Sequence, residues 1–89
     1  MRVVLHLAAR SEILDSAQWY AERSQQASAA FAMAVDDAIA SIVENPERHS
    51  FLEKPWRKCQ LRRFPIGLVY RVSDGEVQIV AAMHEKRRP

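Results

Sequence analysis

The end of the chain concentrates groups that could perform acid–base and phosphate chemistry. Residues 83–89 read MHEKRRP, so that His84 is followed closely by Lys86 and Arg87. An imidazole titrates near neutrality and can therefore act as a general base or acid. Guanidinium groups bind phosphate through paired hydrogen bonds and stabilise developing negative charge. Upstream, three further cationic residues join this candidate set: Lys58, Arg62 and Arg71. The segment is either a solvated tail or a strand end that presents charge to a partner.

Length and composition indicate a single domain spanning residues 1–89. Apolar residues make up 48% and charged residues 27% of the chain, which is typical of a globular protein and not of a disordered one. Cys59 is the one cysteine, which excludes an internal disulfide and a cysteine-based zinc cluster. His6 and His49 have no ligand spacing with His84, so we expect neither a metal site nor a cofactor.

The charge is distributed unevenly along the chain. Acidic residues outnumber basic ones in residues 1–53, whereas basic residues outnumber acidic ones in residues 54–89. A basic C-terminal third favours a polyanion or an acidic protein as partner. The N-terminal apolar run, VVLHLAA, is too short for a membrane-spanning helix, and it fits a first strand better than a signal peptide. We therefore expect a cytoplasmic protein that does not act at a membrane.

Two helices are predicted after that strand. From about residue 9 the apolar residues follow a helical stripe through Ile13, Ala17 and Tyr20. The polar stretch SQQAS should then separate this helix from a second one. The buried stripe of the second helix should comprise Phe31, Val35, Ala38, Ile39 and Ile42. Its end is predicted at Asn45–Pro46, because proline disfavours helical geometry in the preceding residue.

The second half of the chain reads as strands. RKCQLRRF alternates loosely, and IGLVYRV and VQIVAAMH are strongly strand-like. The Asp74–Gly75 pair between the last two runs is typical of a tight hairpin turn, and residues 47–55 are expected to form a loop. The predicted fold is α+β with the order β-α-α-β-β-β: a small antiparallel sheet with a helical hairpin on one face.

A two-residue turn at Asp74–Gly75 fixes a register for the last hairpin. It places four pairs under the helices: Val72–Val77, Tyr70–Ile79, Leu68–Ala81 and Ile66–Met83. Arg71, Gln78 and His84 then occupy the other, open face. A tight turn at Phe64–Pro65 puts Arg62 opposite Gly67, although a bulge there would reverse this parity. The Arg62 and His84 backbones would then be roughly 12 Å apart across a hollow floored by glycine and alanine.

This ordered set of segments resembles the RelE/ParE superfamily of bacterial type II toxins. The resemblance includes AARSEILDSAQWYAERS as first helix and FAMAVDDAIASIVENPERH as second helix. It continues through RRFPIGLVYRVSDGEVQIVAAMHEKRRP, where the Arg-Phe-Pro, Tyr-Arg-Val and His-x-x-Arg elements look like the family's sheet signature. The RRFPIGLVYRV stretch is more similar to the ParE-like branch.

The resemblance implies a toxin of a plasmid-stabilising or growth-inhibiting module that a cognate antitoxin neutralises, in a toxin–antitoxin hetero-oligomer. ParE-like members inhibit DNA gyrase, whereas RelE-like members are ribosome-dependent mRNA endonucleases. In a nuclease, His84 would be the acid or base, and Arg62 and Arg87 would stabilise phosphorane charge. In a binding toxin, the contacts would come from the cationic set and the imidazole: Lys58, Arg62, Arg71, His84, Lys86 and Arg87.

Two departures from the nuclease pattern favour the gyrase-directed interpretation. No tyrosine follows the last strand, and Lys54 is the one counterpart to the nuclease loop lysines. A third interpretation is an inactive relative that only binds its antitoxin. Tyr70 is a further possible proton donor, but its parity places it in the core.

Overall fold

The computed structural model describes residues 1–85, which form seven elements of secondary structure. In chain order these are β1 (Arg2–Leu5), α1 (Leu7–Ala21), α2 (Gln25–Glu44), β2 (Phe51–Glu53), β3 (Trp56–Gln60), β4 (Ile66–Ser73) and β5 (Glu76–His84). The predicted α+β class is confirmed, and so is the helical hairpin between the first strand and the others. Residues 51–53, expected in a loop, form an additional short strand.

The five strands form one mixed sheet in the order β1-β5-β4-β3-β2. Three of the four strand pairs are antiparallel, but β1 runs parallel to β5, with Val3 paired to Val77. A parallel pair needs a long crossover connection, and the two helices and three strands between β1 and β5 provide one. The predicted antiparallel sheet is therefore wrong for β1, the edge strand that pairs in parallel.

The helical hairpin turns within three residues. Ser24 is the N-cap of α2, and its Oγ accepts a hydrogen bond from the Ala27 backbone N–H at 3.2 Å. A serine in this position satisfies one of the backbone donors that a helix start leaves unpaired. Most of SQQAS is thus the first turn of α2, and the predicted polar break is confined to residues 22–24. Asn45 is the C-cap, as the following proline predicts.

The core lies between the helical hairpin and one face of the sheet. The most deeply buried large side chains are those of Tyr70, Phe31, Ile42, Ile66, Leu68, Ile79 and Val77. By length and composition alone α2 is apolar enough to span a membrane. In this fold its apolar stripe, which includes Phe31, Val35 and Ile42, instead belongs to the core cluster.

The β4–β5 hairpin follows its predicted register only as far as Tyr70. Val72 pairs with Val77 and Tyr70 with Ile79, as expected, and Asp74 and Gly75 both have positive φ. Beyond them Val69 pairs with Ala81, so that Val80 has no partner on β4. This extra residue is a β-bulge, and it moves every later residue of β5 to the opposite face.

The predicted pairs Leu68–Ala81 and Ile66–Met83 are therefore wrong. Leu68 pairs with Ala82 and Ile66 pairs with His84. Ala82 is accordingly buried, whereas Met83 is exposed.

The β3–β4 pairing is shifted by two residues from the tight-turn register. Cys59 pairs with Leu68, and Gln60 with Gly67. A shift of two preserves the face of each side chain, so Cys59 and Leu61 lie in the core as predicted. The shift exists because β3 ends at Gln60, and a longer connection, residues 61–65, replaces the expected two-residue turn.

Candidate binding surface on the open face of the sheet

The face of the sheet opposite the helices carries Arg71 and Gln78, as the sequence predicted. Arg71 pairs with Gln78, as the hairpin register predicted, and its Nε donates to Gln78 Oε1 at 2.8 Å. Gln78 Nε2 in turn donates to Glu76 Oε1 at 3.0 Å. Glu76 Oε2 lies 3.6 Å from Arg2 Nε on the neighbouring strand. Two hydrogen bonds and one ion pair thus connect side chains on three strands, with an arginine at each end.

The guanidinium of Arg71 is also positioned by an aromatic ring. Its Cζ lies 5.1 Å from the centroid of the Trp56 ring, within the range of a cation–π interaction. Because Nε is used by Gln78, the two terminal nitrogens remain directed away from that bond, and they have no hydrogen-bond partner within residues 1–85. A guanidinium held in this way can offer two parallel donors to a carboxylate or phosphate.

Lys58 lies across Gly67 on the same face. A Cβ atom added to Gly67 would be 2.7 Å from Lys58 Cδ and 2.8 Å from Lys58 Cγ. The absence of a side chain at Gly67 is therefore what lets the aliphatic part of Lys58 lie flat against β4. Val69, which pairs with Lys58, is buried although it lies on the side away from the helices. The hollow expected above Gly67 is instead occupied by the lysine stem.

Arg62 lies elsewhere than the sequence predicted. Gln60, not Arg62, is opposite Gly67, and the Gln60 amide holds the following loop by donating to Phe64 O and Ile66 O, both at 2.9 Å. Arg62 is exposed in that loop, where it lines a shallow pocket against α2 with Met33 and Asp37. The prediction that Arg62 lies on the open face is therefore wrong, because Arg62 belongs to the loop after β3.

His84 lies on the helix side of the sheet. The bulge at Val80 pairs it with the buried Ile66, and it lines a pocket with Glu12 and Asp15 of α1. Glu12 also accepts a hydrogen bond from the Ala82 backbone N–H at 2.9 Å. The imidazole therefore has acidic neighbours on α1 and does not face the open-face cations.

The structure does not bring the proposed nuclease residues together within residues 1–85. Arg62 lies beside α2 and His84 beside α1, in pockets that share no lining residue. Lys86 and Arg87 lie outside the described residues. Of the candidate contact residues, Lys58 and Arg71 do share the open face. The described residues contain no group of three or more His, Cys, Asp or Glu side chains arranged to hold a metal ion.

Tyr70 is a structural residue, as its parity predicted. Its side chain is fully buried, and its hydroxyl donates to the Pro46 carbonyl oxygen at 2.5 Å. Burial raises the pKa of the Tyr70 phenol, with a smaller opposing effect from the Arg57 charge. Burial likewise raises the pKa of the Cys59 thiol. Neither group is available as a proton donor at a surface.

Sequence reasoning missed Trp56 and Arg2 as members of the open face. Trp56 was not among the predicted contact residues, although simple alternation from Lys58 along β3 places both side chains on one side. Arg2 had no comparable signal, because its position depends on the parallel pairing of β1 with β5.

The fold and this surface together define a small α+β protein with a helical hairpin behind a sheet whose free face is cationic. Residues 3–89 match the family described as the ParE toxin of the type II toxin–antitoxin system, parDE. The chain therefore belongs to the ParE toxin family, which makes it the toxin component of a type II toxin–antitoxin module.

Comparison with solved structures supports the fold. A structure titled "Chromosomal ParDE TA system from P. aeruginosa" aligns with a TM-score of 0.80 and 16% sequence identity. The alignment covers 94% of this chain and 95% of that chain. A search of curated proteins gave no match.

Proposed function

We propose that this protein inhibits DNA gyrase by binding it, and that it does not cleave RNA. The observation that carries the proposal is the separation of the groups that RNA cleavage would need in one place. General acid–base catalysis requires the imidazole within hydrogen-bond reach of the reacting group. His84 instead lies beside α1 with Glu12 and Asp15, whereas Arg62 lies beside α2 in a separate pocket.

The open face has the properties of a binding surface for an acidic target. The Arg71 guanidinium is held by Gln78 and Trp56 before any partner arrives, which lowers the entropy lost when a partner binds. Lys58 adds a second cation on the neighbouring strand. Charges arranged in this way accelerate encounter with an acidic partner and help to select it.

We further propose that a cognate antitoxin neutralises the protein in a toxin–antitoxin hetero-oligomer. The family is defined by such a system, and the aligned structure is titled as one. Both gyrase and a co-expressed antitoxin would be met in the cytoplasm, which is where we place the protein.

The test is to induce the protein in bacterial cells and to follow two responses in parallel. Double-strand DNA breaks with induction of the SOS response are expected, together with inhibition of supercoiling by purified gyrase. His84→Ala should leave both effects within about twofold of the wild type, since His84 is assigned no chemistry. Transcripts cut at ribosomal A sites, and no longer cut in the His84→Ala variant, would overturn the proposal in favour of an mRNA interferase.

The third interpretation, an inactive relative, gives a different result. Such a protein would produce neither DNA breaks nor cut transcripts, and yet it would still bind its antitoxin. A charge reversal away from the open face gives a matched comparison: Arg62→Glu should leave gyrase inhibition within about twofold of the wild type, because Arg62 lies beside α2.

A further inference from the structure

One end of the helix-side face of the sheet is left uncovered by the helices. α2 ends at Glu44, whereas the sheet continues past it to Val72 and Phe51. Val72 pairs with the fully buried Val77, and yet 42% of Val72 is exposed. Phe51 is exposed to the same extent, and Met1 to 61%. These apolar side chains, with Pro46, line one surface pocket, which we call the Phe51 pocket.

Two cations lie over the aromatic ring of this pocket. Arg57 Cζ lies 3.8 Å from the Phe51 centroid, and Lys54 Nζ lies 5.3 Å from it. Arg57 is fixed because its Nη1 donates to the carbonyl oxygens of Glu47 at 3.2 Å and His49 at 2.7 Å. Lys54 is exposed and has no salt bridge within residues 1–85. The Glu47 carboxylate is the one acidic group among the lining residues, so the pocket carries a net positive charge.

The Phe51 pocket also adjoins a free edge of the sheet. β2 is the last strand in the order, so its outer backbone groups have no strand neighbour within residues 1–85. All three of its residues are exposed. An unpaired strand edge is a template for an additional extended segment, and side-chain pockets beside the edge then supply specificity.

We propose that the Phe51 pocket and the β2 edge bind an extended acidic peptide segment that carries an aromatic side chain flanked by carboxylates. The aromatic side chain fills the apolar pocket between Phe51 and Val72, and the carboxylates pair with Lys54 and Arg57. A second copy of this chain is a poor occupant, because symmetric pairing of two β2 edges would bring the same cations together. The inference is independent of the gyrase target.

The test uses a short synthetic peptide and the ¹⁵N-labelled full-length protein. The probe is Glu-Asp-Phe-Asp-Glu with both ends blocked, and binding is followed through backbone amide chemical shifts. We expect saturable shifts confined to residues around Phe51, Lys54 and Val72. The peptides Glu-Asp-Ser-Asp-Glu and Lys-Arg-Phe-Arg-Lys, which lack the ring and the acidic charge respectively, should each bind at least about tenfold more weakly.

Protein variants give the matched controls. Lys54→Glu and Phe51→Ala change exposed side chains and should each weaken binding of the acidic peptide about tenfold or more. Arg10→Glu is an equal charge reversal on the exposed surface of α1, and it should leave the affinity unchanged. A dispersed amide spectrum confirms that each variant is folded. Absence of saturable shifts at millimolar peptide, shifts located elsewhere, or equal weakening by Arg10→Glu would each overturn the proposal.

Discussion

At the scale of single residues, Gly67 is required by its neighbour and not by its backbone. An added Cβ would overlap the stem of Lys58, which lies across the glycine. We expect Gly67→Ala to lower the free energy of unfolding by about 1 kcal/mol, because the displaced lysine loses its packing. In a Lys58→Ala background the same change should cost close to nothing. Urea denaturation of the four proteins of this cycle measures the coupling, and equal costs in both backgrounds would contradict the account.

Tyr70 offers a second test at this scale, because its hydroxyl has one partner. The phenol donates to the Pro46 carbonyl oxygen and so ties β4 to the connection after α2. Tyr70→Phe should lower the free energy of unfolding by about 1 kcal/mol, since the carbonyl loses its donor in a partly buried site. Gyrase inhibition, measured well below the unfolding temperature, should be unchanged. A loss of inhibition without a loss of stability would instead give the phenol a functional role.

At the scale of elements, the connection between α2 and β2 is held together by His49. Its Nε2 lies 3.1 Å from Ser41 Oγ on α2, and its ring makes an edge-to-face contact with Tyr70. Burial lowers the pKa of the His49 imidazole, and the charges of Arg48 and Arg57 lower it further. The unfolded chain, with an imidazole pKa near 6.5, therefore binds a proton more readily than the folded protein.

The sign of this difference sets the pH dependence of stability. The contribution of His49 to the free energy of unfolding should be fully present above the imidazole pKa of the unfolded chain, about 6.5. It should be lost as the pH falls from there towards the lower imidazole pKa of the folded protein. We expect the wild type to lose more unfolding free energy than His49→Gln between about pH 7.5 and pH 5.5. Carboxylates titrate in both proteins and cancel in the comparison. Parallel stability curves for the two proteins would show that His49 does not contribute.

A second element-scale contact joins α1 to the bulged end of β5. The Glu12 carboxylate accepts from the Ala82 backbone N–H, two residues past the unpaired Val80. Glu12→Ala should lower the free energy of unfolding by about 1–2 kcal/mol. Glu12→Gln should keep most of the wild-type stability, because its amide oxygen can also accept the hydrogen bond from Ala82. Glu22→Ala, at the exposed end of α1, provides a control with little expected effect. Chemical denaturation compares all three.

The same bulge marks the limit of prediction from sequence. The Asp74–Gly75 turn fixed the pairing as far as Tyr70–Ile79, because local turn chemistry determines the register of nearby residues. Val80 carries no comparable signal, since a valine is equally compatible with a regular strand and a bulge. The consequence was large: one extra residue placed His84 beside Glu12 on the helix side, instead of on the open face where it was predicted to lie near Arg62. The parallel partner of β1 was equally unpredictable, because it depends on contacts distant in sequence.

At the scale of the whole molecule, the fold separates charge between its two layers. The acidic residues of α1 and α2 lie on the helical layer, whereas Lys58 and Arg71 lie on the free face of the sheet. The acidic partner proposed above would be attracted to the sheet and repelled by the helical layer. The unequal charges of the two halves of the sequence predicted a basic surface. They did not predict which face would carry it.

This separation predicts how target binding responds to charge and salt. Arg71→Gln removes the charge and keeps a donor near Gln78, so it should weaken gyrase inhibition about tenfold with little change in stability. Arg10→Glu on the helical layer should leave inhibition within about twofold. Wild-type inhibition should weaken as salt rises, and the Arg71→Gln variant should show a shallower dependence, because one screened attraction is already missing. Supercoiling assays at several salt concentrations measure all three proteins, and equal salt dependence in wild type and Arg71→Gln would exclude the open face as the gyrase-binding surface.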